Sequence, residues 1–119
     1  MSVAWIFPGQ GSQKLGMAED VLCLPGAHER FELASNLLDR DLLSICNGKS
    51  ESLDGLGDLN DTRNTQPAMF VVESLLVDDL KRQGKEAAYV AGHSLGEIVA
   101  LYAADVFGAE AALSLLKIR

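Results

Sequence analysis

The sequence predicts an α/β fold with at least two parallel strands, and three observations carry that reading. Residues 3–7 form a short unbroken apolar run stopped by Pro8-Gly9, and residues 87–91 form a second such run that leads into Gly92. Between and after them, apolar residues recur at helical spacing. Short strands apolar on both faces, alternating with helices, are the pattern of a parallel sheet covered by its crossover connections. Two strands fall short of the three expected in an independently stable sheet, so these 119 residues are expected to be part of a larger domain.

Along the chain, the strand at 3–7 runs into the loop Pro8-Gly9-Gln10-Gly11-Ser12-Gln13. Residues 28–38 carry Phe31, Leu33, Ala34, Leu37 and Leu38 on one helical pattern, and Leu42, Leu43 and Ile45 mark a second short helix. Residues 47–64 are rich in Gly, Ser, Asp and Asn, with Leu53, Leu56 and Leu59 as anchors, which predicts a surface connection. Thr65 is placed to cap a long helix over 65–83, with Pro67 in the first turn, where its missing N–H has no intrahelical partner. The early part of that helix is apolar nearly all round and is expected to be central. Gly84 ends it, and the strand at 87–91 follows. A helix over about 95–104, with Glu97 as its only charge, and an amphipathic helix over 109–118 complete the chain. Trp5 and Tyr102 read as core.

Composition narrows the function classes. A net charge of −7, from 17 acidic and 10 basic residues without a basic cluster, argues against a nucleic-acid partner. Cys23 and Cys46 show neither a disulfide framework nor a metal-ligand spacing, so reduced thiols and no metal are expected. The N-terminal apolar run has no basic flank and is too short for a signal peptide or a membrane span. A cytosolic, water-soluble protein without membrane attachment is therefore expected.

The chemistry centres on Gly92-His93-Ser94-Leu95-Gly96. Gly-x-Ser-x-Gly between an apolar strand and an apolar helix is the nucleophile-elbow pattern, in which a tight turn pushes the serine hydroxyl clear of the backbone. The glycines let strand and helix approach closely. Ser94 would then stand at a helix N-terminus, where free N–H groups favour developing negative charge, and the Leu95 N–H is a natural oxyanion donor. Serine also needs a base. Of the two histidines, His93 adjoins Ser94 on a turn that sends neighbouring side chains apart, and His28 lies at a surface helix start. Neither fits, so the base is expected outside these residues.

Three segments in this order, Phe7-Pro8-Gly9-Gln10-Gly11-Ser12-Gln13, Thr65-Gln66-Pro67-Ala68 and Gly92-His93-Ser94-Leu95-Gly96-Glu97, resemble the malonyl-CoA:acyl-carrier-protein transacylase family. The resemblance spans residues 3–119 and implies the N-terminal portion of a longer enzyme. It implies an α/β-hydrolase-like large subdomain, with an inserted ferredoxin-like subdomain and the catalytic histidine both absent from these residues. By the same resemblance, Ser94 carries the malonyl group as an ester between coenzyme A and the phosphopantetheine thiol of acyl carrier protein, in fatty acid biosynthesis. No cofactor of its own is implied, and the full-length protein is expected to be a monomer.

The family motif adds the Gln10 N–H to Leu95 in the oxyanion hole. Arg119, 25 positions after Ser94, matches the arginine that grips the free malonyl carboxylate, a task suited to a planar guanidinium. Gln66 matches the family's glutamine near the acyl pocket and His93 the histidine that precedes its nucleophile, and both are implied to bind substrate. Three other readings compete: an acyltransferase of polyketide synthesis, a serine hydrolase such as a lipase or thioesterase built on the same elbow, and a non-catalytic product of these 119 residues. The loop at residues 8–13 and Arg119 argue against the hydrolase.

Overall fold

The computed structural model describes residues 2–49 and 57–118. The elements run β1 (Ala4–Phe7), α1 (Ala27–Leu38), α2 (Leu42–Cys46), α3 (Thr62–Arg82), β2 (Tyr89–Gly92), α4 (Leu95–Ala103) and α5 (Ala109–Ile118). The predicted α/β class is what forms: a small parallel sheet and, among the described residues, five helices. β1 and β2 pair in the register Ala4↔Tyr89, Trp5↔Val90, Ile6↔Ala91, Phe7↔Gly92, so the loops after both strands emerge at the same end of the sheet.

The core lies among the helices. α3 packs against α4 and α5, α1 against α5, and α4 across both strands. Phe31 and Ala34 of α1, Phe70, Val71 and Leu75 of α3, Val99 of α4 and Leu113 of α5 are all buried at its centre. The expectation that early α3 is central holds, with Ala68 to Val71 fully enclosed. Between β1 and α1, residues 15–26 form successive turns that bury Met17, Ala18 and Val21, and the Gly16 N–H ties them to the Cys46 carbonyl at 3.0 Å.

Two expectations need correction. The strands are not buried on both faces: Trp5 and Phe7 turn towards the helices, while Ile6 is 75% exposed and Tyr89 70%. Among the described residues, no element covers that outer face. The long helix also starts three residues earlier than its sequence pattern suggests. Asp61 is the N-cap, accepting from the Arg63 N–H at 3.0 Å, and its bonds to Arg63 hold its carboxyl down at about pKa 2. Thr65 instead sits inside the first turns, fully buried, its hydroxyl within hydrogen-bond reach of the carbonyls of Leu59 and Asp61, which share its one proton.

The early start leaves Pro67 within the helix, where it cannot donate to the Arg63 carbonyl four residues back. Arg40 fills that gap. Its Nη2 donates to the Arg63 carbonyl at 3.1 Å, its Nε to Asn64 Oδ1 at 2.8 Å and its Nη1 to the Leu38 carbonyl at 3.3 Å. One guanidinium thus joins the end of α1 to the start of α3.

Leu59, one of the three predicted anchors of the connection before α3, is buried; Leu53 and Leu56 lie outside the described residues. Cys23 is exposed and Cys46 buried, and both are free thiols; burial pushes Cys46 up to about pKa 12. Tyr102 is half-buried in a polar cluster that fastens α4 to α3. Its hydroxyl donates to Asp78 Oδ1 at 2.6 Å, Arg30 pairs with Asp78 Oδ2 at 2.7 Å, and the ring meets Phe70 edge-on at 5.5 Å. No helix among the described residues is long and apolar enough to cross a membrane.

Candidate active site

The turn between β2 and α4 is built almost entirely from main chain. The His93 N–H donates to the Phe7 carbonyl at 3.2 Å, continuing the ladder one residue past the strand, and the Gly96 and Glu97 N–H groups close back on the carbonyls of His93 and Ser94 at 3.0 Å each. These bonds force Ser94 to φ 57°, ψ −118°, a region that residues with a β-carbon avoid. Serine at a helix start ordinarily caps it through its side chain; here the Ser94 hydroxyl makes no capping bond and stands half-exposed.

Two glycines make the turn possible. A β-carbon on Gly92 would collide with the Gly96 carbonyl, and one on Gly96 with the Phe7 carbonyl. Strand and helix therefore approach to a distance that only hydrogen at those positions allows. The loop after β1 closes in the same way: a β-carbon on Gly9 would run into the His93 carbonyl and stand 3.1 Å from Ser94 Cβ. The first predicted loop and the predicted serine are thus brought side by side.

Within that pair of loops, hydrogen bonding is selective. The Gly11 N–H donates to Gln13 Oε1 at 2.7 Å, and the Ser12 N–H contacts the Gly9 carbonyl at 3.4 Å. The main-chain N–H groups of Gln10 and Leu95 have no partner among the described residues. N–H groups of exposed loops and of a first helical turn commonly lack protein partners, as those of Gly9, Gln13 and Ser94 also do among the described residues; what distinguishes these two is their place on the two loops that meet at Ser94. Two idle donors, one on each side of an uncapped serine, form an arrangement able to receive an oxyanion.

The Gln10 side chain is not idle. Its Oε1 accepts from Thr62 Oγ1 at 2.6 Å, and Thr62 Oγ1 accepts from Gln66 Nε2 at 3.2 Å, so Gln10 and Gln66 are linked through the first turn of α3. His93 is exposed, and His28 lies on the exposed side of α1. Arg119 lies outside the described residues. No cluster of His, Cys, Asp or Glu among the described residues could hold a metal ion.

Sequence reasoning overlooked two residues. Thr62 could have been found from its placement one turn before Gln66, had α3 been started at Asp61. Glu73 is the one charge in the otherwise uncharged stretch from Thr65 to Val77. It is buried with neither oxygen hydrogen-bonded, and desolvation pushes its carboxyl up to about pKa 8.

Comparison with known proteins agrees with this geometry. The malonyl CoA-acyl carrier protein transacylase of Synechocystis sp. is 45% identical over 119 residues, covering all of this chain and 39% of that protein. The crystal structure of the Synechocystis malonyl-CoA:ACP transacylase superposes with a TM-score of 0.85 at 43% identity, over 98% of this chain and 38% of that one. A type II polyketide-synthase acyl-carrier protein in complex with its malonyl-transacylase gives a TM-score of 0.85 at 35% identity, over 99% and 37%. The chain spans under two fifths of the length of these relatives. The acyl transferase domain pattern matches residues 4–119. The uncapped serine, the glycine-permitted approach of two loops and the extent of that match lead to one assignment: the chain belongs to the acyl transferase domain family.

Proposed function

We propose that this chain supplies the nucleophile and oxyanion hole of a malonyl-CoA:acyl-carrier-protein transacylase of fatty acid biosynthesis. The observation that carries the reading is the pair of unpartnered N–H groups, Gln10 and Leu95, on the two loops that meet at Ser94. In this reading β2 and α4 form a nucleophile elbow within an α/β-hydrolase-like large subdomain. The ferredoxin-like subdomain lies outside these residues, and the enzyme works in the cytosol as a monomer.

The chemistry proceeds in two balanced halves. Ser94 Oγ attacks the thioester carbonyl of malonyl-CoA, its proton passes to a general base, and the carbonyl oxygen gains charge in reach of the Gln10 and Leu95 amides. Collapse breaks the C–S bond, and the coenzyme A thiolate leaves with the proton that the base returns. The phosphopantetheine thiol of acyl carrier protein then attacks the ester, gives its proton to the base, and Ser94 leaves as the hydroxyl. Neither His28 nor His93 serves as that base, so it comes from outside these 119 residues. Arg119 grips the malonyl carboxylate, and His93 and Gln66 border the acyl group.

The test uses the full-length protein with labelled malonyl-CoA. A malonyl ester on Ser94 that moves to holo acyl carrier protein is expected, and Ser94→Ala should abolish it. Rapid release of free malonate without carrier-dependent transfer would replace this reading with a serine hydrolase. A second reading, transfer to a polyketide carrier protein, is favoured by the likeness to the malonyl-transacylase solved with its polyketide-synthase carrier. Relative rates with the two classes of carrier separate them.

A further inference from the structure

Gln10 sits between two glycines, Gly11 adopts φ 114°, and within the loop the peptide that carries the Gln10 N–H is held only by the long bond from the Ser12 N–H to its Gly9 carbonyl at 3.4 Å. A donor aimed at a developing oxyanion contributes most when it is already in place, because reorienting it during the reaction costs what the contact would gain. Something outside the loop must hold it.

The Gln10 side chain has one hydrogen-bond partner among the described residues, the Thr62 hydroxyl at 2.6 Å. Thr62 is the first residue of α3, a helix of 21 residues anchored in the core. Its β-branch leaves the hydroxyl two common χ1 positions in a helix, and the bonds to Gln10 and Gln66 select one of them. The hydroxyl's single proton goes to Gln10 Oε1, and one of its lone pairs receives Gln66 Nε2 at 3.2 Å, one helical turn on. Gln13 Nε2, donating to Asn60 Oδ1 at 3.0 Å, ties the far side of the loop to the segment just before α3.

We infer that Thr62 is a positioning residue: its hydroxyl relays the rigidity of α3 to the Gln10 amide. This rests on the acyl-transfer reading above. Thr62 touches neither the reacting carbonyl nor the leaving thiol. Its effect should therefore fall on the rate of ester formation and spare the affinity for malonyl-CoA.

The experiment compares Thr62→Val and Thr62→Ser in the full-length protein. Two readouts are taken: the kinetics of malonyl-ester formation on Ser94, and amide hydrogen exchange over residues 9–13. For Thr62→Val, kcat should fall by about tenfold to a hundredfold with KM within about twofold. Thr62→Ser should recover most of the loss, and exchange at Gly11 and Ser12, the loop N–H groups that are hydrogen-bonded, should rise in the valine variant only. A kcat for Thr62→Val within about twofold of wild type would overturn the inference. So would a serine variant as slow as the valine one, or an effect confined to KM. If the unaltered protein forms no malonyl ester, the functional reading fails by itself. Exchange then decides the relay: a rise in the valine variant supports it, and unchanged protection overturns it.

Discussion

Gly9 lies against Ser94 so closely that a β-carbon at position 9 would stand 3.1 Å from the serine's own β-carbon while running into the His93 carbonyl. The loop after β1 and the turn after β2 thus meet through main-chain atoms. Gly9→Ala should push the Gln10 loop away from Ser94. A loss of at least about tenfold in ester formation is expected, with a stability cost of roughly 1–3 kcal/mol. Gly92→Ala, whose β-carbon would meet only backbone, should be worse and is expected to prevent folding. Far-UV circular dichroism and urea titration check both.

Ser94 is held at φ 57°, ψ −118°. Glycine adopts that conformation without strain. Ser94→Gly should therefore raise stability by about 1 kcal/mol, the relief of strain exceeding glycine's greater entropic cost, while Ser94→Ala leaves it unchanged. Both should lose ester formation. Far-UV circular dichroism follows the unfolding in urea.

Glu73 makes stability depend on pH in a defined direction. Its carboxyl is raised from 4.5 to about 8 by burial. Below 4.5 it is protonated whether the chain is folded or not, and its contribution is fully present. As pH climbs from 4.5 to about 8, the unfolded chain sheds the proton that the folded one keeps, so stability falls. The loss should reach roughly 2–4 kcal/mol by pH 8 and be absent in Glu73→Gln. Urea midpoints taken across this range provide the measurement.

Arg40 stands in for the N–H that Pro67 lacks. Arg40→Ala removes the guanidinium's bonds to the Arg63 carbonyl and to Asn64 Oδ1, at a cost of about 1–3 kcal/mol. Adding Pro67→Ala restores an N–H to the helix. The double variant should therefore be more stable than Arg40→Ala alone, and a double-mutant cycle from thermal unfolding would show the coupling.

How much of this could be read from the sequence follows from where the information resides. The elements and their order were legible because each carries its own periodicity, and the turn at Ser94 because its glycines are spaced for close approach. The start of α3 was not. Thr65 and Pro67 look like a cap and a first-turn proline, and the tertiary contact from Arg40, which no local pattern shows, supports a helix that begins at Thr62 with the proline inside it. The exposed outer face of the strands was also misjudged, since an apolar run says that a strand can be covered and leaves open what covers it. The bond from Thr62 to Gln10 spans 52 positions, and no local pattern announces it.

Phe7 and Gly92 are register partners, and from that rung both loops of the site depart. Deleting one residue from either strand would pull its loop back by about 3.3 Å or turn the side chains on one side of the deletion to the opposite face. Replacing Ile6 or Tyr89, both outward-facing, would do neither. Frame length within the strands should therefore be far less forgiving than residue identity. A library of single deletions across residues 4–7 and 89–92 would lose acylation at every member, while substitutions at positions 6 and 89 would be absorbed.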